Sequence, residues 1–192
     1  MRRALQSIAA VAALTVAAAC GDPPEKELQQ ARSAIESARG AGADIYARDE
    51  FSAAETALKN ATDAVDQRDY RLALNRALDA RERARNAEKE AAIRKAAART
   101  DASRAVAAAG RALDEARTRL KTAESARAAS RIVASARRSI ADSEVAVQEA
   151  RTAFGQGEYA RATEVAGAEA TRLRALAKDL ESVAPPAPRR RR

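Results

Sequence analysis

Residues 106–123, Val-Ala-Ala-Ala-Gly-Arg-Ala-Leu-Asp-Glu-Ala-Arg-Thr-Arg-Leu-Lys-Thr-Ala, decide the fold class of this chain. Apolar residues recur within this stretch at alternating spacings of 3 and 4, which places them on one face of an α-helix. Half of them are alanine, so a partner helix can approach this face closely. The stripe consists of Val106, Ala109, Leu113, Ala116, Leu120 and Ala123.

Three further stripes with the same rhythm predict further helices. Gly40 and Gly42 follow the first of these stripes and are typical of a helix end. The third runs out of phase with the stripe over 106–123, which indicates either a stutter in one continuous helix or a turn. We favour a reversal or kink near 124–131. The three stripes are Leu28, Ala31, Ile35 and Ala38; Phe51, Ala54, Leu58, Ala61 and Val65; and Val133, Ala136, Ile140, Ser143, Val147, Ala150 and Phe154.

Short polar signals mark the ends of these helices. Asp22 precedes two prolines and is expected to cap the first helix. Arg68-Asp69 is expected to form a tight turn, with Asp69 capping a helix that begins at Tyr70. The segment 155–157, Gly-Gln-Gly, predicts another turn before a last helix that ends near Leu180.

Composition supports an all-α fold. The chain has 192 residues, of which 46% are hydrophobic and only 3% aromatic, and it contains no tryptophan. Alanine, arginine and glutamate dominate, a profile typical of long helices and coiled coils, whereas strand-forming residues are sparse. We therefore predict an elongated antiparallel helical bundle of coiled-coil-like hairpins.

Cys20 is the single cysteine of the chain, and the residues before it indicate export. Arg2 and Arg3 provide a positive start, and the apolar run 8–19 ends in small residues directly before this cysteine. This order is that of a secretory signal peptide. It resembles a bacterial lipoprotein signal, in which the cysteine is acylated and becomes the new N-terminus. We expect residues 1–19 to be removed and Cys20 to carry the lipid.

Two alternatives remain open for this segment. Residue Ala17 stands where lipoprotein signals usually have leucine, and 17–19 also fits an ordinary small-x-small cleavage site that would release a soluble protein. An uncleaved membrane anchor is the third reading, although the apolar run is short for one. Asp22 lies one place beyond the position that favours inner-membrane retention in Gram-negative sorting. We expect a lipid-anchored envelope protein on the outer membrane, facing the periplasm.

The same composition argues against catalysis. With no histidine and one cysteine, the usual hydrolase triads and zinc sites cannot be assembled. The segment 155–157 lacks the strand and additional glycines of a phosphate-binding loop. The carboxylates alternate with arginine and lysine, as on a solvated helix face. We predict no enzyme activity, no catalytic residues, no metal site and no cofactor.

The last nine residues, 184–192, predict a disordered tail. Prolines in 184–188 stop the last helix, and Arg189, Arg190, Arg191 and Arg192 end the chain with four positive charges. After export the available polyanions are lipids and cell-wall polymers, not nucleic acid. These arginines are candidates for contact with an anionic surface. A solubilising disordered end is the alternative.

The predicted organisation is therefore a signal peptide over 1–19, a helical bundle over 20–183 and the tail. The bundle contains a weak internal repeat, about 51–81 and 140–170. It is most visible where Val65–Ala73 aligns with Phe154–Ala162 at an offset of 89, each segment placing a tyrosine after a corner.

The stretch 41–87 resembles an uncharacterised family of helical bacterial envelope lipoproteins. The resemblance is carried by the segments 46–51, Tyr-Ala-Arg-Asp-Glu-Phe, and 69–73, Asp-Tyr-Arg-Leu-Ala. This chain has Arg48 where the family pattern has proline, and Arg68 where it has glycine. Members of that family are often found with or fused to OmpA-type peptidoglycan-binding domains, which implies a role in the cell envelope.

Two functions follow as expectations. The first is a non-enzymatic, membrane-anchored helical spacer, scaffold or protein-interaction module that binds unknown envelope proteins. The second is a peripheral module that binds anionic lipid or cell-wall glycan, including peptidoglycan, through its basic tail and arginine-rich helices. Alanine seams are also compatible with a homo-oligomer.

Overall fold

A computed structural model describes residues 22–183 of the protein. Within these residues it contains six helices and no strand, which confirms the all-α prediction. The chain divides into two compact units between Lys95 and Ala96, so α4 contributes its first part to unit 1 and its remainder to unit 2. The helices are α1 (Glu25–Gly40), α2 (Ala43–Tyr46), α3 (Arg48–Asp66), α4 (Tyr70–Ser125), α5 (Ser130–Gly155) and α6 (Tyr159–Val183).

Unit 1 is built from α1, α2, α3 and the residues of α4 up to Lys95. Its core consists of three clusters of buried residues, each with members from α1, α3 and α4. From one cluster to the next the residue numbers rise along α1 and α4 and fall along α3, so α3 runs antiparallel to both. In this order they are Leu28, Ala61 and Ala77; Ala31, Ala57 and Ala80; and Ile35, Ala38, Ala43, Ala47, Phe51, Ala54, Ala84, Ala87 and Ala91.

The first predicted stripe is buried as expected, but two local predictions for unit 1 are wrong. Asp22 does not cap α1, because Pro24 occupies the cap position and no side chain bonds to the helix start. In α3, Leu58 and Val65 are only partly buried, whereas Ala57 and Ala64 are buried. This helix packs against both α1 and α4, so its buried face is wider than a single stripe.

Unit 2 is built from the remainder of α4, α5 and α6. Ala102, Ala153 and Ala162 form a cluster at one end, and Arg119 of α4 pairs with Glu181 of α6 towards the other. Helix α5 is therefore antiparallel to α4 and α6. The predicted break near 124–131 is confirmed, because α4 ends at Ser125 and α5 begins at Ser130.

Two corners, one in each unit, have the same backbone hydrogen bonds at an offset of 89 residues. Arg68 and Gly157 both have a left-handed backbone, with φ of 62° and 81°. The amide of Asp69 donates to the carbonyl of Ala64, and the amide of Glu158 donates to that of Ala153. These 6→1 bonds satisfy the carbonyls at the end of the preceding helix.

Asp69 also has the role that its position in the sequence predicts. Its carboxylate accepts a hydrogen bond of 2.9 Å from the backbone amide of Leu72, and its carbonyl accepts one from the amide of Ala73. Asp69 therefore caps the start of α4, where backbone amides have no partner within the helix.

Alanine fills most of the core in both units. An alanine methyl buries little area, and burial contributes about 25 cal/mol per Å². The larger side chains therefore contribute more of the buried area, and Leu28, Leu173, Leu180 and Val147 are almost completely buried. Ser143 is 1% exposed, and its hydroxyl has no hydrogen-bond partner.

Replacing Ser143 with alanine should stabilise the protein. An unsatisfied buried polar group costs about 1–3 kcal/mol, and alanine is also the better helix former. We expect Ser143→Ala to raise the free energy of unfolding by about 1 kcal/mol, measured as a higher midpoint in urea denaturation.

Ala54 provides the matched control, because it lies 89 residues earlier and is completely buried. Ala54→Ser should lower the urea midpoint, since it introduces the unsatisfied hydroxyl that Ser143→Ala removes. A lower midpoint for Ser143→Ala would show that the native hydroxyl has a partner.

Arg68→Gly should also stabilise the protein. A left-handed backbone is unfavourable for a residue with a Cβ atom and readily adopted by glycine. The gain should be about 0.5–1 kcal/mol, detected as a higher melting temperature in circular dichroism. Gly157→Ala at the equivalent corner should lower the melting temperature. If Arg68→Gly lowers it instead, the arginine side chain must stabilise this corner in a way that outweighs the backbone.

Candidate functional site

The two sites predicted from the sequence lie outside the described residues. Cys20 precedes Asp22, the first residue that the structure describes, and Arg189–Arg192 follow Val183, the last one. Both therefore remain predictions.

Residues that carry the family resemblance hold one end of unit 1 together. Phe51 is buried in the core, and the guanidinium carbon of Arg39 lies 5.4 Å from the centre of its ring. Arg94 of α4 donates a hydrogen bond of 3.2 Å to the backbone carbonyl of Tyr46. Gly42 has a φ of 87°, and a Cβ atom there would lie 3.3 Å from the Tyr46 ring. These contacts give the residues a structural role.

One end of unit 2 carries an excess of positive charge. No aspartate or glutamate lies between Glu124 and Asp142, whereas this interval contains four arginines. Glu124 is already paired, since its Oε1 lies 2.8 Å from Nη2 of Arg137. The other three arginines are exposed and form no ion pair with any residue in 22–183. They are Arg127, Arg131 and Arg138.

An open apolar groove lies beside one of these arginines, Arg131, whereas Arg138 borders a separate hollow between α4 and α5. The groove has a volume of about 310 Å³ and is formed where the start of α5 meets the end of α6. Its aliphatic walls include Ile132 and Val183, which are 37% and 36% exposed. Arg131 and Asp179 lie at its charged border. We call the three unpaired arginines together with Ile132, Leu176, Leu180 and Val183 the basic end.

Elsewhere on the described surface, many charges form pairs between helices. Arg39 pairs with Glu55 at 2.8 Å in unit 1, and Arg117 pairs with Glu144 at 2.7 Å in unit 2. These side chains are substantially exposed, so each pair contributes little to stability. The three arginines of the basic end have no such partners, which is also true of other exposed arginines such as Arg71, Arg85 and Arg99; the basic end differs from these in the absence of acidic residues between Glu124 and Asp142.

The resolved pKa shifts fall on cations in exposed pairs. A hydrogen bond with Glu144 raises the pKa of Arg117, because it favours the charged guanidinium. Hydrogen bonds likewise raise the pKa of Lys59 beside Asp63, of Arg39 beside Glu55 and of Arg161 beside Glu149. All four groups carry their charge at neutral pH, so the shifts reflect electrostatic pairing.

Two kinds of site are absent from residues 22–183. No group of three or more acidic, cysteine or histidine side chains is arranged to hold a metal ion in this part of the chain. None of the helices within it combines the length and apolar character needed to cross a membrane.

Part of the chain is similar to a known protein family. Residues 26–102 match the family model described as "Domain of unknown function (DUF4398)". The chain contains a DUF4398 domain. This domain includes the stretch 41–87 and is consistent with a resemblance to an uncharacterised family. No curated protein matches the chain, and no solved structure matches it either. The envelope location and the OmpA association of the family stay predictions.

The basic end lies outside the DUF4398 domain, and sequence reasoning did not single it out. The interval without acidic residues between Glu124 and Asp142 was visible in the sequence and could have indicated it. The groove could not be found in this way, because Ile132 and Val183 come together only through the packing of α5 and α6.

The stability of the protein should depend little on pH between about 6.5 and 9. The described residues contain neither histidine nor cysteine, the two side chains whose ordinary pKa values fall in or at the edge of this range. A base with a raised folded-state pKa stabilises the fold below its unfolded pKa, and this contribution is lost as the pH rises through the folded value. For Lys59 this loss falls above about pH 10.4.

Thermal melts at several pH values would check this expectation. The melting temperature should be nearly constant across the neutral range and should fall in strongly alkaline buffer. A transition centred between about pH 6.5 and 9 would contradict it, because no described group with a resolved shift titrates there.

Proposed function

We propose that this protein is a membrane-anchored bacterial lipoprotein that acts as a non-enzymatic helical spacer, scaffold or protein-interaction module in the cell envelope. The observation that carries the proposal is the position of Cys20, the single cysteine, directly after a positively charged start and an apolar run. Acylation at this residue would hold the chain on a bilayer, since each buried methylene of an acyl chain contributes about 0.8 kcal/mol.

The architecture after this cysteine supports a mechanical or binding role. Two helical units follow, with alanine seams inside and many paired charges outside. Such units present stable helix faces to partners without needing a reactive centre. The presence of a DUF4398 domain agrees with the family resemblance, and this resemblance implies a role in the cell envelope.

The proposed location is the outer membrane, with the protein facing the periplasm. Gly21 follows the lipidated cysteine and Asp22 stands one place later, beyond the position that favours retention in the inner membrane. The expected partners are the membrane, through the acylated cysteine, and envelope proteins that remain to be identified.

Acylation of Cys20 is the decisive test. We expect the full chain, expressed in a bacterium that is fed an alkyne-labelled fatty acid, to incorporate the label, and Cys20→Ala to abolish incorporation. Mass spectrometry of the wild-type protein should show an N-terminal peptide that begins at a diacylglyceryl-modified Cys20.

Asp22→Asn is the matched control, because it alters a residue near the cleavage point and leaves the cysteine intact. It should retain the label. An N-terminal peptide with an unmodified thiol at Cys20 would support plain secretion, and retention of residues 1–19 would support an uncleaved anchor. Either result would overturn the lipoprotein proposal.

A further inference from the structure

We propose that the basic end of unit 2 docks on an anionic phospholipid surface. This inference goes beyond the spacer role, because it assigns a second membrane contact to residues of the folded chain. It concerns the α4–α5 turn, the first turns of α5 and the end of α6. The proposed occupant is a bilayer surface that bears negatively charged phosphate headgroups.

The charge of this surface is the first argument. Arg127, Arg131 and Arg138 are exposed, and their guanidinium groups have no carboxylate partner among residues 22–183. Glu124, the acidic residue that precedes them, is bonded to Arg137. Unpaired arginines on one end of a unit are complementary to a layer of phosphates, and arginine binds phosphate oxygens through several parallel hydrogen bonds.

The apolar groove distinguishes a bilayer from a soluble polyanion. Ile132 and Val183 are large aliphatic residues that remain more than one third exposed beside Arg131. A soluble phosphate polymer offers nothing apolar to cover them. A bilayer does, because aliphatic side chains can enter the boundary between headgroups and acyl chains while neighbouring arginines stay with the phosphates.

Vesicle binding tests the proposal directly. The tested chain spans residues 21–192, so it keeps every described residue and the tail but lacks the lipid site. It is mixed with vesicles of phosphatidylcholine alone, or with vesicles of phosphatidylcholine mixed with phosphatidylglycerol. We expect cosedimentation with the anionic vesicles, weakened by salt. The triple variant Arg127→Ala, Arg131→Ala, Arg138→Ala should bind them at least about tenfold more weakly.

A second triple variant controls for net charge. Arg71, Arg85 and Arg99 are also exposed and have no ion pair within the described residues, so Arg71→Ala, Arg85→Ala, Arg99→Ala removes the same charge elsewhere. This variant should retain binding within about threefold, and circular dichroism should show that both triples keep their helix content. Equal loss of binding in the two triples would overturn the proposal, because it would show attraction by net charge alone.

Ile132→Ser tests the apolar contact, with soluble polyphosphate as the second probe. We expect this variant to bind anionic vesicles several-fold more weakly and polyphosphate as tightly as the wild type. If Ile132→Ser and the wild type bind vesicles equally well, Ile132 makes no apolar contact with the bilayer. This result would overturn the assignment to a bilayer. Retention on isolated peptidoglycan without binding to vesicles would also overturn it, in favour of a cell-wall polymer.

These results are separable from the acylation experiment, because the tested chain carries no lipid. A failure of vesicle binding leaves the labelling of Cys20 unaffected, and a missing label leaves the vesicle measurements valid. A variant that lacks only Arg189–Arg192 measures the contribution of the tail. If this deletion abolishes binding and the arginine triple leaves it unchanged, the tail alone carries the contact and the proposal is wrong.

Discussion

Close contact between helices through alanine is the constraint on which both units depend. Each methyl contributes little to stability, so the helices must approach closely along their whole shared length. Positions such as Ala61 and Ala162 are completely buried, and a larger side chain there would force the helices apart. The few larger residues, including Phe51 and Leu173, supply the burial that alanine does not. Stability is therefore the sum of many small contacts.

The helical character of the fold could be predicted from the spacing of apolar residues, because residues at alternating spacings of 3 and 4 lie on one face of an α-helix. The break before α5 followed from a change of phase between two stripes. Prediction failed in α3, where Ala57 is buried and Leu58 only partly so. Alanine on adjacent positions makes a stripe ambiguous by one residue, and only the packing of α3 between two neighbours resolves it.

Some candidate sites could be recognised from the sequence, and one could be recognised only from the structure. Cys20 could be recognised because a signal peptide is encoded in consecutive residues, and the terminal arginines because they are consecutive as well. The basic end could be recognised only in the folded protein, since Arg131 and Val183 lie far apart in sequence and line the same groove through the packing of two helices. Sequence also showed where acidic residues are missing, but not that Glu124 is occupied by Arg137.

The short corners have a consequence for how the chain folds. Each unit reverses direction within a few residues, and its buried clusters join helices that are close along the chain. Contacts of this kind close quickly, because little chain entropy is lost before the first native interactions form. Helical bundles with such local contacts fold on the order of microseconds to milliseconds. We therefore expect each unit to bury its alanine-rich helix faces soon after synthesis or export. Early burial limits association with other unfolded chains.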